Sequence, residues 1–216
     1  MKVAIRLMAL LLCAPTAVAF AQSSSVHIGG QVGAAFSTLT GNDVGEVGTR
    51  TGMFAAATLV WQREKATVGF QTGLGFVSKG AKLLDLDESA QGQMKLGYVE
   101  VPLMLRIALP LTASITPAIT GGASVAYRSS CQIETDSGDL AGTYDCDDPA
   151  LDGDFKLKSL DIGATVGLDL DIAVNPRVTL VPTFRFTRGL RSIVDDSEEN
   201  IKTSAFQLGA GVRVRM

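Results

Sequence analysis

From residue 26 onward the chain divides into stretches of strand length in which apolar side chains alternate with small or polar ones. The clearest is Leu160-Asp-Ile-Gly-Ala-Thr-Val-Gly-Leu-Asp-Leu-Asp-Ile172. Leu160, Ile162, Ala164, Val166, Leu168, Leu170 and Ile172 share one face, while Asp161, Gly163, Thr165, Gly167, Asp169 and Asp171 share the other. Successive side chains of a strand point to opposite faces, so the segment is a ribbon with one oily and one wet side. A soluble sheet hides its oily side and shows an ordinary polar exterior. Here the polar side is too charged and too rich in glycine for that role. The pattern predicts the inverse arrangement, with lipid outside and a polar lumen.

Eight such strands are expected, at about 26–39, 53–62, 67–78, 95–107, 113–128, 159–173, 178–191 and 203–216. The connections fall into two kinds. Thr40–Gly52, Lys79–Met94, Ser129–Lys158 and Ser192–Lys202 are long and polar; Arg63–Ala66, Ala108–Thr112 and Val174–Arg177 are short, the last with the turn pair Asn175-Pro176. Long loops at one end and short turns at the other are the habit of an up-and-down barrel in an outer membrane, and the lengths suit tilted crossing strands. The fold class predicted is therefore all-β, an eight-stranded antiparallel up-and-down transmembrane β-barrel. Pro102, Pro117 and Pro182 fall inside these strands and each removes a ladder donor, so bulges or displaced strand ends are expected there. Aromatic girdles are sparse: Phe36, Phe76, Tyr127, Phe184, Phe186 and Phe206 suit an outer ring, Trp61 and Phe70 an inner one. Met53–Trp61 is apolar on both faces, which leaves its register open.

The first residues read differently. Lys2 and Arg6 precede an apolar run from Leu7 to Cys13, then Pro15 and the small-residue pattern Ala17-Val-Ala-Phe-Ala21. This is the layout of a secretory signal peptide, expected to span 1–21, with cleavage after Ala19 as the alternative. The barrel domain is then 22–216. A lipoprotein reading of Cys13 fails on the bulky Leu12 before it. Loss of the leader leaves Cys131 and Cys146, an even count in an exported chain, and a disulfide across the polar loop is expected. No histidine lies near enough to make the pair a zinc site.

Charge is concentrated. The four long loops hold 17 of the 22 acidic residues against six basic ones, about −11 net. Such a rim would attract cations, including divalent ions that bridge lipopolysaccharide phosphates, although a solvated loop surface alone accounts for it. Asp148-Pro-Ala-Leu-Asp-Gly-Asp154 lacks EF-hand spacing. The whole chain carries −3, and loss of Lys2 and Arg6 takes it to about −5, which argues against a nucleic-acid partner.

At Gly97-Tyr-Val-Glu-Val-Pro-Leu-Met-Leu-Arg106 the chain resembles the small "porin family" of outer-membrane β-barrel proteins, of the OmpA transmembrane-domain and OmpX type. Gly69-Phe-Gln-Thr-Gly-Leu-Gly-Phe-Val-Ser-Lys-Gly80 is similar to the strand that precedes it in that family. Phe206-Gln-Leu-Gly-Ala-Gly-Val-Arg-Val-Arg-Met216 is similar to the closing strand, with Met216 where a final aromatic is usual. The closing strand also fits the signal read by the outer-membrane assembly machinery, with Gln207 and Gly209 and then Val212 and Val214 on one face. The resemblance implies an eight-stranded barrel without shared catalytic residues.

Alternation sends Glu100, Arg106, Arg128, Asp161, Asp169, Asp171, Arg185, Arg213 and Arg215 to the lumen, with Gln31, Gln71 and Gln207. Eight strands enclose a space that side chains nearly fill, so these charges must pair or be hydrated. They are expected to form a network that plugs the barrel; a narrow ion path is the rival reading. No catalytic, cofactor or metal site is expected. The one histidine, His27, sits at the short-turn end, whereas outer-membrane hydrolases of barrel form work at the outer face. The glycine pairs Gly29-Gly30 and Gly121-Gly122 lack the following helix of a phosphate loop. The expected role is structural, adhesive or surface-interacting through the long loops, in a monomer whose partners are outer-membrane lipid and lipopolysaccharide. A lipocalin-like soluble barrel, with the apolar rows turned inward around a ligand, is the third reading.

Overall fold

The alternating stretches are strands, and they close on themselves. The structure is a computed structural model that describes residues 24–41, 47–63, 66–83, 92–112, 114–135, 142–146, 157–194 and 201–216. The leader at 1–21 and most of the acidic loop residues, such as Asp43, Asp85, Asp148 and Glu198, lie outside the described residues. In chain order the strands are β1 (Ser24–Thr40), β2 (Val47–Arg63), β3 (Val68–Leu83), β4 (Gly92–Ala108) and β5 (Ile115–Thr135), followed by β6 (Gly142–Asp145), β7 (Leu160–Ala173), β8 (Val178–Gly189) and β9 (Lys202–Arg215). Every pairing is antiparallel. The ring runs β1-β2-β3-β4-β5-β7-β8-β9, and β9 returns to β1 from His27↔Arg215 to Thr40↔Lys202. A closed ring leaves no ladder edge unpaired, which is what a sheet in hydrocarbon requires. Short β6, not anticipated from the alternation, folds back on the end of β5.

The faces decide the environment. Val32, Leu105, Val166 and Leu208 are each more than half exposed on the outer wall. Gln31, Glu100, Asp169, Arg185 and Arg213 are buried within it. A lipocalin-like arrangement is overturned, because it would bury the first set and expose the second. The open register of the second stretch resolves the same way: Phe54, Thr58 and Val60 point inward, with Met53 and Leu59 outward. On the outer wall Phe36, Phe206 and Phe186 are successive cross-strand partners, and the Phe186 and Phe206 ring centres lie 4.6 Å apart.

Pairing extends past the expected strand ends at the long-loop side. β2 begins at Val47, β3 continues to Leu83, β4 begins at Gly92 and β5 continues to Thr135. Two register shifts interrupt the alternation near these ends. One lies between Thr49 and Phe54 on β2, the other where Gly97↔Ser130 gives way to Tyr98↔Arg128 on β4 and β5. An extra residue flips the inward parity of the strand that carries it, as from Ala126 to Cys131 on β5, so a two-residue period stops there although the ladder does not. Opposite the first shift Gly80 has φ 139°, and a Cβ on it would sit 1.9 Å from the Met94 carbonyl oxygen. Only glycine fits there.

The prolines behave otherwise than expected. Around Pro102 the pairs Thr72↔Leu103 and Gly75↔Glu100 keep one alignment, as do Asp169↔Thr183 and Ile172↔Leu180 around Pro182. Each proline stays aligned with its other neighbour, Ser124 and Ala210 respectively. Flanking rungs hold the register across one missing donor, so the ladder is interrupted without a bulge. Pro117 lies near the start of β5, where its carbonyl accepts a hydrogen bond from Leu109 N at 2.8 Å. At the turn from β7 to β8, Asn175 Oδ1 accepts from the N–H groups of Arg177 and Val178, both at 2.9 Å.

Candidate functional site

The lumen is where the charged rows meet, and it is filled in three zones. Toward the short turns, β7 presents Asp169 and Asp171 at consecutive inward positions, with Arg213 on β9 and Arg106 on β4 reaching in to meet them. Arg213 donates from Nη1 to Asp171 Oδ1 at 2.8 Å and from Nη2 to Asp169 Oδ2. Arg106 donates from Nη2 to Asp171 Oδ2 at 2.6 Å and from Nη1 to Gln62 Oε1 at 3.1 Å. Thr183 completes the Asp169 carboxylate through a 2.7 Å bond. Buried Arg185 adds its charge near Asp169 and Glu100. A carboxylate out of water is costly unless charged donors satisfy it, and Asp169 has both an arginine and a hydroxyl.

In the middle zone Lys79, only 1% exposed, sits between two acids. Its Nζ is 3.4 Å from Glu100 Oε2 and 3.7 Å from Asp161 Oδ2, and 5.0 Å from the centre of the Tyr98 ring. Thr203 donates to Asp161 Oδ2 at 2.8 Å, and the Thr165 and Thr187 hydroxyls are 3.0 Å apart.

The outer zone is apolar, a feature the alternation does not reveal. Leu39, Phe54, Val77, Leu96, Tyr98, Ile193 and Val194 pack together inside the wall with Cys131 and Cys146. Those cysteines form the expected disulfide, with Cα atoms 5.5 Å apart, and Cys146 N donates to Cys131 O at 3.2 Å. The bridge pins β6 against β5 above this cluster. On the rim, past the membrane-crossing part of the wall, Glu134 accepts from Lys95 and Gln93. The hydrogen bond from Lys95 holds the Glu134 carboxyl below the usual carboxylate range.

Of the expected lumen residues, the structure places Glu100, Arg106, Asp161, Asp169, Arg185 and Arg213 inside and buried, with Asp171 partly open toward the mouth. Arg128 stands at the outer end and donates to Leu157 O at 2.9 Å. Arg215 keeps the inward parity but is exposed at the short-turn mouth, because it is the last paired residue of β9 and the wall ends beside it. The sequence pattern puts Lys79 and Arg50 in loops, yet both are buried in the lumen; Arg50 donates to Lys79 O at 2.9 Å. The inward row Val77, Lys79, Ala81 is the available signal for Lys79. Among the described residues no group of three or more His, Cys, Asp or Glu side chains is placed to hold a metal ion.

Comparison with known proteins bears on this arrangement. A family model described as an outer membrane protein beta-barrel domain matches residues 20–195. Among solved structures, a major outer membrane protein from Thermus thermophilus is 14% identical, covering 90% of this chain and 100% of that one, with a TM-score of 0.54. Neisserial surface protein A is 14% identical over 90% of this chain and 100% of that one, TM-score 0.47. The attachment invasion locus protein of Yersinia pestis is 12% identical over 89% and 99%, TM-score 0.43. At these identities the likeness is one of fold. No curated protein sequence matches the chain. With most of its length matched by that model, and with its oily rows outward and its ionic rows inward, the chain belongs to the outer membrane beta-barrel domain family and resides in a bacterial outer membrane.

Proposed function

We propose that this protein is a non-enzymatic, non-conducting barrel that holds its long acidic loops at the cell surface for structural or surface-interaction work. The observation that supports it most is the filled lumen. Any path along the axis meets Arg213 and Arg106 on Asp171, then Lys79 between Glu100 and Asp161, then the apolar cluster under the Cys131–Cys146 bridge. An ion crossing the first two zones would have to break buried charge pairs, and in the third it would have to pass through a packed, largely apolar cluster. In this architecture the long loops face outward and the short turns face the periplasm. The loops, with 17 of the 22 acidic residues, favour cationic partners, including divalent ions that link lipopolysaccharide phosphates.

Conductance in planar bilayers tests the reading. The purified barrel is expected to give no stable current steps. Steps of constant size that change on Glu100→Gln or Arg185→Gln would replace it with the channel reading.

A further inference from the structure

The ion pairs leave one part of the lumen unaccounted for. Gln31 on β1, Thr58 on β2 and Gln71 on β3 face inward and are 2%, 4% and 1% exposed. Both polar atoms of each carboxamide, and the Thr58 hydroxyl, have no hydrogen-bond partner among the described residues. The register brings the three together. Thr58 is the ladder partner of Gly29 on one side and of Gly73 on the other, and the next inward positions on those strands include Gln31 and Gln71. Each glutamine is therefore a diagonal neighbour of Thr58, a backbone separation of about 7–8 Å. Side-chain bulk is small around them. Glycines flank Thr58, and Ala56 and Gly75 are the inward positions between Gln31 and Glu100 on one continuous rung. That rung leads into the middle zone, where Glu100 Oε2 and Asp161 Oδ1 also accept no hydrogen bond. Toward the short turns, the buried Nε–H of Arg213 is likewise unpartnered.

A buried carboxamide without a partner is costly, and here two of them flank a hydroxyl in the same condition. The chemistry of the unpartnered atoms says what would satisfy them. Nε2 of both glutamines and Nε of Arg213 are donors; Oε1 of both glutamines, Glu100 Oε2 and Asp161 Oδ1 are acceptors; the Thr58 hydroxyl is either. An anion would serve only the donors and a cation only the acceptors. A small neutral molecule that donates and accepts at once serves both, and a buried water makes about three such bonds to otherwise unsatisfied groups. We propose that Gln31, Thr58 and Gln71 form a binding site for ordered water on the inner face of β1, β2 and β3, with the bound water bridging the glutamines and reaching toward Glu100 and Asp161. The proposal does not rest on the plugged reading, since water held here leaves the ion pairs and the apolar cluster as they are, whether or not the barrel conducts.

The test uses the folded full barrel in detergent micelles, labelled at methyl groups, and records NOE and ROE cross peaks from water to methyls by NMR. Water that stays bound longer than the particle takes to tumble gives NOE and ROE peaks of opposite sign; solvent that merely passes does not. Peaks of opposite sign are expected at the methyls of Ala56 and Thr58, with none at Ala81 and Leu39 in the apolar cluster. The double variant Gln31→Met/Gln71→Met keeps the side-chain length and removes both carboxamides, so the Ala56 and Thr58 peaks should be lost. Gln31→Met alone, read at Ala56, serves if the double variant does not fold. Three results overturn the proposal: no water peak at Ala56 and Thr58 in the parent, peaks as strong at Ala81 and Leu39 or with the sign of passing solvent, or peaks that persist once the carboxamides are gone.

Discussion

Replacing Arg213 with methionine is the sharpest perturbation of the lumen. Methionine keeps an aliphatic stem over Gly29, where a Cβ would lie only 2.8 Å from Arg213 Cγ, so the packing loss is small. The electrostatic loss is not. Asp169 is 3% exposed and would keep one hydrogen-bond partner, the Thr183 hydroxyl, with the Arg185 charge near it but not bonded to it. Asp171 fares better, since its side chain is 23% exposed and Arg106 still binds it. The cost therefore falls on Asp169, and removal of one member of a buried pair costs about 3–5 kcal/mol. Asp169→Asn in the same molecule removes the stranded charge and keeps an acceptor for Thr183. The double variant should then recover about 2 kcal/mol or more of the loss. Urea unfolding in lipid vesicles measures this, followed by Trp61, the single tryptophan, and by the fast-migrating folded band on unheated gels. If Arg213→Met costs under about 0.5 kcal/mol and adds independently to Asp169→Asn, the network is a set of hydrated charges and the plug argument fails.

Two further outcomes follow from packing. Gly209→Val should sharply reduce the folded band, because a Cβ there would sit 2.3 Å from Val32 O and 2.7 Å from the Phe54 ring, whereas Gly121→Ala, with nothing within 4 Å, should leave it unchanged. Cys131→Ser/Cys146→Ser should lower stability by about 3 kcal/mol in the chain-entropy model for a loop of this length, read as a lower urea midpoint that reducing agent reproduces in the parent and does not add to in the variant.

The inversion of faces is legible because Leu160–Ile172 alternates without a break, and β7 carries that row through Asp161, Asp169 and Asp171 as read. The disulfide is legible from the parity of cysteines once a leader is assumed. What escapes lies beyond the bulges. Lys79 follows a regular inward row on β3, but Ser78-Lys79-Gly80 reads as a polar turn until Gly80 is seen crossing the ladder at positive φ. Leu39, Leu96 and Ile193 also resist, since an inward leucine in a membrane barrel contradicts the simple rule of oil outside. At the long-loop end the wall extends past the hydrophobic span, and its interior is a small soluble-type core. Periodicity reports which residues share a face; it does not report at what height the solvent on the far side changes from lipid to water.

That change of solvent also explains why the ion pairs run as they do. Hydrophobic burial does little to hold strands together once both sides of the comparison are in lipid, so the closed ladder carries the fold. A ladder joins only neighbours. Arg106 on β4 and Arg213 on β9 both bind Asp171 on β7, and Lys79 on β3 reaches Asp161 on β7, yet none of these strands is a ladder partner of β7. The pairs are cross-braces that hold the ring open against flattening. Arg213 lies on the last strand, whose pairing with β1 closes the ring, so its carboxylate contacts form only when β9 has docked in register. A shift by one residue would turn Arg213 to lipid and leave Asp169 stranded, two costs of the size expected for Arg213→Met at once. The buried ions thus select the closed register, a role the backbone ladder cannot perform because it pairs equally well one rung away.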